Sequence, residues 1–120
     1  MPEVILVVDD EPVLREMISL VLHDEGFAVY VAANGAEALT RHEEQPAALI
    51  ISDIVMPVLD GNSLVQRLRE RGDQTPVVLV SASRPMVLRW PHVQFVAKPF
   101  DLEHLLTLVQ RMLIDDRQES

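Results

Sequence analysis

Four short apolar runs, each closed by a residue capable of chemistry, constrain this chain more than any other feature. Val4-Ile5-Leu6-Val7-Val8 ends at Asp9-Asp10, and Ala48-Leu49-Ile50-Ile51-Ser52 ends at Asp53. Val77 to Val80 ends at Ser81, and Val93 to Ala97 ends at Lys98-Pro99. Continuous runs rich in β-branched residues mark strands that are buried on both faces. A further strand is expected from Ala28 to Ala32.

Helical patterns fill the gaps between these runs. Pro12 suits a first helical turn, where its missing N–H costs nothing. Leu14, Met17, Ile18 and Val21 then recur at helical spacing, and Gly26 supplies a stop. Asn34 and Glu37 have the spacing of a capping box ahead of a helix reaching about Glu44. After Met56-Pro57-Val58-Leu59-Asp60-Gly61, Leu64, Val65 and Leu68 share one helix face. Asp101 can cap a last helix whose expected stripe is Leu102, Leu105, Leu106, Val109 and Leu113. Between Ser83 and Pro91 another crossover helix is due, but Pro85 and Pro91 leave room for one or two turns at most.

Strict strand–helix alternation within 120 residues argues for one α/β domain over residues 1–120. The expected fold is a flavodoxin-like, doubly wound, five-stranded parallel sheet of order 2-1-3-4-5 with a shortened fourth helix. Residues 115–120, Asp-Asp-Arg-Gln-Glu-Ser, read as a polar tail.

In such a sheet all strand carboxyl ends share one edge, so Asp9, Asp10, Asp53, Ser81 and Lys98 should converge there. A pair of carboxylates about 4 Å apart repels by about 4 kcal/mol at an effective dielectric of about 20. Three together suit a hard divalent cation, and Mg²⁺ takes oxygen ligands from few protein groups. The metal, a lysine point charge and a hydroxyl donor are the parts that phosphoryl transfer to Asp53 needs.

Four segments resemble the receiver domains of two-component response regulators: Val7 to Pro12, Asp53 to Pro57 with Asp60-Gly61, Val80-Ser81-Ala82, and Lys98-Pro99-Phe100. The resemblance covers essentially the whole chain. It implies that Asp53 is the phospho-acceptor, with Ser81 and Lys98 assisting. It implies that Asp10, Asp53 and the carbonyl of Val55 hold Mg²⁺ (Mn²⁺ substituting), with Asp9 acting through water. Ser81 and Phe95 match the switch pair, and Lys98-Pro99 should be cis. The implied partners are a sensor histidine kinase or phosphotransfer protein and a downstream protein target. The function expected is Mg-dependent phosphorylation of a stand-alone regulator that turns over no separate substrate. An excised N-terminal receiver of a longer regulator and a phosphorelay intermediate are the alternatives. The chain departs from the family in the short Ser81–Lys98 segment. Val55 and Ser83 also give little side-chain help to an attacking water.

Two rival functions fail on particular residues. A phosphatase of the haloacid-dehalogenase type needs an acid two residues after the nucleophile, and position 55 is valine. A receiver-like binding module that is never phosphorylated has no need of Asp9, Asp10, Asp53, Ser81 and Lys98 together. The net charge of −9 acts against direct contact with nucleic acid or anionic lipid. There is no cysteine, which excludes thiol chemistry. The opening residues lack a basic flank, and their apolar run is too short for a signal peptide or a span; a cytoplasmic location is expected.

Two expectations concern the surface. Leu105, Leu108 and Met112 widen the last helix's apolar arc, so with Trp90 they should form an exposed partner patch or homodimer face beside the fifth strand. His23, His42, His92 and His104 show no ligand spacing and are expected at the surface.

Overall fold

The computed structural model describes residues 2–82 and 90–119. Five parallel strands form one sheet: β1 (Val4–Val8), β2 (Ala28–Ala32), β3 (Leu49–Asp53), β4 (Val77–Ser81) and β5 (Val93–Ala97). Their order is β2-β1-β3-β4-β5, as the alternation predicts. The helices are α1 (Pro12–Asp24), α2 (Gly35–Glu44), α3 (Gly61–Glu70) and α4 (Leu102–Glu119). The shortened helix expected between Ser83 and Pro91 falls outside the described residues. No helix among the described residues is long and apolar enough to cross a membrane.

Two apolar layers flank the sheet, as side-chain alternation along a strand requires. Leu6, Val8, Ile50, Val77 and Leu79 point to one side, where Ala38 and Leu39 of α2 and Leu64, Val65 and Leu68 of α3 cover them. Ile5, Val7, Leu49, Ile51, Val78 and Val80 point to the other, under Ile18 and Leu22 of α1 and the inner face of α4. The central strands β1, β3 and β4 are therefore buried on both faces, whereas the edge strands β2 and β5 are only partly covered.

Local signals set the helix starts. Asn34 Oδ1 accepts the Glu37 N–H at 2.9 Å, and Asp60 Oδ1 accepts that of Ser63 at 2.7 Å. Asp101 accepts the Glu103 N–H through its side chain at 2.9 Å, so it caps α4 as its type suggests. Gly61 is required by space: a Cβ there would stand 2.5 Å from the carbonyl oxygen of Asp53. That contact fixes the start of α3 directly beneath the end of β3.

Four expectations need correction. Leu105 and Met112 are buried, at 2% and 8% exposure, and Leu108 packs partly buried against the same layer. Trp90 packs against the opposite layer, so these four residues do not form one exposed patch. The physical reason is that α4 sinks into this apolar layer a wider arc than its minimal stripe. Met17 is 47% exposed, because α1 buries Ile18 and Leu22 instead. The segment read as a polar tail continues α4 through Glu119; it holds no proline or glycine to stop a helix, and Arg117 pairs with Glu3.

His42 is the fourth correction: it is buried, not at the surface. Its Nδ1 accepts the Ala47 N–H at 3.0 Å, and its Nε2 lies 2.8 Å from Asp73 Oδ2. Asp73 also accepts the Thr75 N–H at 2.9 Å, while its carbonyl accepts from Arg69 at 2.8 Å. Buried Arg69 in turn donates to the Pro91 carbonyl at 3.0 Å. This polar clasp joins the entries to β3, β4 and β5 at the sheet edge opposite the strand carboxyl ends.

Candidate functional site

The carboxyl edge of the sheet gathers residues from four strand ends. Asp9 follows β1, Asp53 closes β3, Ser81 closes β4 and Lys98 follows β5. The parallel register places Asp53 opposite Val80 and Ser81 opposite Ala97, so β4 carries its hydroxyl one step beyond the level of Asp53. Ser81 is buried, and its carbonyl accepts the Lys98 N–H at 2.8 Å. The Lys98–Pro99 peptide bond is cis.

Asp9, Asp10 and Asp53 each bring one carboxylate oxygen to within 4.8 Å of the others. Asp9 and Asp53 are buried, and Asp10 is exposed at the mouth. Asp53 Oδ2 accepts from Lys98 Nζ at 2.8 Å, and its Oδ1 accepts the Val55 N–H at 3.3 Å. Asp9 Oδ1 accepts the Glu11 N–H at 2.8 Å, and Arg15 donates to the Asp9 carbonyl at 3.0 Å. Both bonds brace the turn that holds the two aspartates between β1 and α1.

The electrostatics are those of an anionic cluster in which, among the described residues, Lys98 is the cation paired with a carboxylate. Burial pushes the Asp9 carboxyl above its ordinary range, and the neighbouring Asp53 charge adds to the push; the Glu11 N–H and Lys98 oppose it. Burial alone would lower Lys98, but the hydrogen bond and charge of Asp53, with Asp9 and Glu11 behind it, hold its ammonium above the usual range. One lysine cannot balance three close carboxylates. The donors are all hard oxygens, so the set fits a divalent cation such as Mg²⁺.

Phe95 is half-buried on β5 and packs against the α2–α3 layer. The exposed side chain of Val55 lies at the site on the loop after β3, its N–H donating to Asp53. Sequence reasoning gave no role to Glu11, whose carboxylate reaches to 3.8 Å from Lys98 Nζ. Nor did it find the apolar cleft beside Lys98, lined by Leu14, Met17, Pro99, Phe100 and Leu102. The signal for that cleft was present in Met17, whose helical phase is compatible with either face of α1.

A five-stranded parallel fold with this edge is that of a signalling receiver. Residues 5–110 match the family described as the response regulator receiver domain, and the chain belongs to it. It is 39% identical to an uncharacterised 14.6 kDa protein of Leptolyngbya boryana over 89% of this chain and 87% of that one. It is also 39% identical to the response regulator Rre1 of Synechocystis, over 99% of this chain but 55% of Rre1, so it spans about half the length of that relative. Among solved structures, the response regulator TrrA of Thermotoga maritima in complex with Mg²⁺ and BeF is similar at a TM-score of 0.83. That likeness has 32% identity and covers 92% of this chain and 98% of TrrA. Receiver domains are signalling domains that work with histidine kinases or phosphotransfer partners, not enzymes that turn over a substrate.

Proposed function

We propose that this receiver accepts a phosphoryl group on Asp53 in a Mg²⁺-dependent step and that the modification switches its protein contacts. The observation that carries this is the position of Asp53: buried, 2.8 Å from Lys98 and within 4.8 Å of two further carboxylates. Asp10, Asp53 and the Val55 carbonyl would hold the metal, with Asp9 behind a water. The ion would supply positive charge to the transferring phosphoryl oxygens.

The chain's own groups do the rest. An Asp53 oxygen attacks phosphorus while the bond to the donor's leaving group breaks. The Val55 N–H and Lys98 hold the carboxylate in place before attack. Lys98 then turns from the carboxylate to a phosphoryl oxygen, an exchange that a flexible ammonium makes easily. The Ser81 hydroxyl donates to another such oxygen, and Phe95 follows into the space vacated.

The apolar cleft at Leu14, Met17 and Phe100 adjoins Lys98, with Val13 exposed beside it on α1, so a protein phosphodonor would seat there. The match with the Leptolyngbya protein, over 87% of that protein's length, supports a stand-alone regulator. The half-length match with Rre1 supports the alternative, a receiver within a longer regulator. An antibody to the domain decides between these by the mass it detects in cells.

The acceptor assignment is tested by incubation with acetyl phosphate and Mg²⁺. The native protein should gain the mass of one phosphoryl group, and Asp53→Asn should gain none. Equal uptake by the variant refutes it.

A further inference from the structure

The carboxylate of Glu11 stands at the mouth of the acceptor site without a structural task. Glu11 is the residue before α1, yet its side chain makes no capping hydrogen bond; its backbone alone serves the turn, the N–H donating to Asp9 and the carbonyl accepting the Arg15 N–H at 3.1 Å. The side chain is 65% exposed and lies 3.8 Å from Lys98 Nζ, on the solvent side of the same ammonium that Asp53 holds at 2.8 Å. Lys98 is thus shared between an inner and an outer carboxylate. An exposed pair of this length contributes little to stability. Its effect falls instead on whatever anion enters the site.

We infer that Glu11 is a specificity-determining residue that selects the phosphodonor by charge. This rests on the reading of Asp53 as acceptor. A free dianionic donor must approach past Asp10 and Glu11, and Glu11 also draws Lys98 outward, away from the entering phosphoryl group. A protein donor that presents a lysine or arginine beside its phosphoryl group meets Glu11 as a partner, and Lys98 is released toward Asp53. One carboxylate therefore slows adventitious phosphorylation by small metabolites and favours a cation-bearing protein donor.

The test compares two small donors at saturating Mg²⁺. Acetyl phosphate enters as a dianion and loses acetate as the Asp53–phosphorus bond forms. Phosphoramidate enters as a monoanion and loses ammonia. Glu11→Gln should raise the rate with acetyl phosphate about three- to tenfold, the size of one partly screened charge–charge repulsion. The gain with phosphoramidate should be smaller, and both gains should shrink in high salt as the repulsion is screened. Glu11→Lys should exceed Glu11→Gln with acetyl phosphate. A purely structural role would move both donors alike and leave the salt dependence unchanged. Equal rates for native and Glu11→Gln proteins, or slower rates in the variant, overturn the inference. If neither protein is labelled by either donor, it is the acceptor reading itself that has failed.

Discussion

At the scale of single residues, the structure holds one apolar side chain in a conformation it disfavours. Val58 has φ of 69° and is 82% exposed. A β-branched residue in the left-handed region is a true outlier and costs on the order of 1–3 kcal/mol. No packing offsets that cost, because the side chain faces solvent. Val58→Gly should therefore stabilise the domain by about 1 kcal/mol, net of glycine's greater freedom when unfolded. A urea midpoint below that of the native protein would contradict this.

Asp73 makes a second prediction at the same scale. Burial alone would raise its carboxyl, but hydrogen bonds from the Thr75 hydroxyl and N–H and from His42 outweigh it and hold the group below its ordinary value of 3.8. A depressed carboxylate contributes stability that is complete above its unfolded value and is lost as pH falls through the folded one. Asp73→Asn should thus cost about 1–3 kcal/mol near neutrality. The gap to the native protein should close only below the ordinary carboxylate range, in denaturation curves followed from pH 7 downward. A gap that stays constant to pH 2 would show that the charge of Asp73 has no part in the clasp.

At the scale of elements, α4 shows where a sequence pattern stops being informative. Seven apolar residues from Leu102 to Leu113 cover more than half the helix circumference, and periodicity alone cannot say how much of that arc faces the sheet. The structure buries Leu105, Val109, Met112 and Leu113 and tucks Leu108 against them. Met112→Ala should accordingly cost about 2–5 kcal/mol in chemical denaturation, as a core truncation does. A loss below 0.5 kcal/mol, the range of surface substitutions, would return Met112 to the surface. Helix α1 errs in the opposite sense: it carries Val13, Met17 and Leu20 outward while its register buries Ile18 and Leu22.

For the molecule as a whole, the sheet was legible because parallel strands with two buried faces must be continuous apolar runs. Their ends are where the apolar runs stop, so Asp9, Asp53, Ser81 and Lys98 announced themselves as polar residues that break the runs, three of them still buried. Strand order then followed from alternation, and the meeting of distant residues followed from strand order. His42 could not be found this way. Its partner Asp73 lies 31 residues onward, and nothing local distinguishes a buried histidine on a polar helix from an exposed one. Glu11 was visible as a letter of the Asp-Asp-Glu-Pro segment, but its distance to Lys98 depends on the turn at α1, which composition does not specify.

The central claim is that this assembly makes Asp53 the acceptor, and chemistry at that carboxyl tests it most directly. An aspartyl phosphate is an acyl phosphate, which borohydride reduces at the carboxyl carbon, whereas a free carboxylate resists. Protein treated with acetyl phosphate and Mg²⁺, then with borohydride, should carry the reduced side chain at position 53 alone when its peptides are sequenced by mass spectrometry. Reduction at Asp9, Asp10 or another carboxylate, with Asp53 unchanged, would contradict the account.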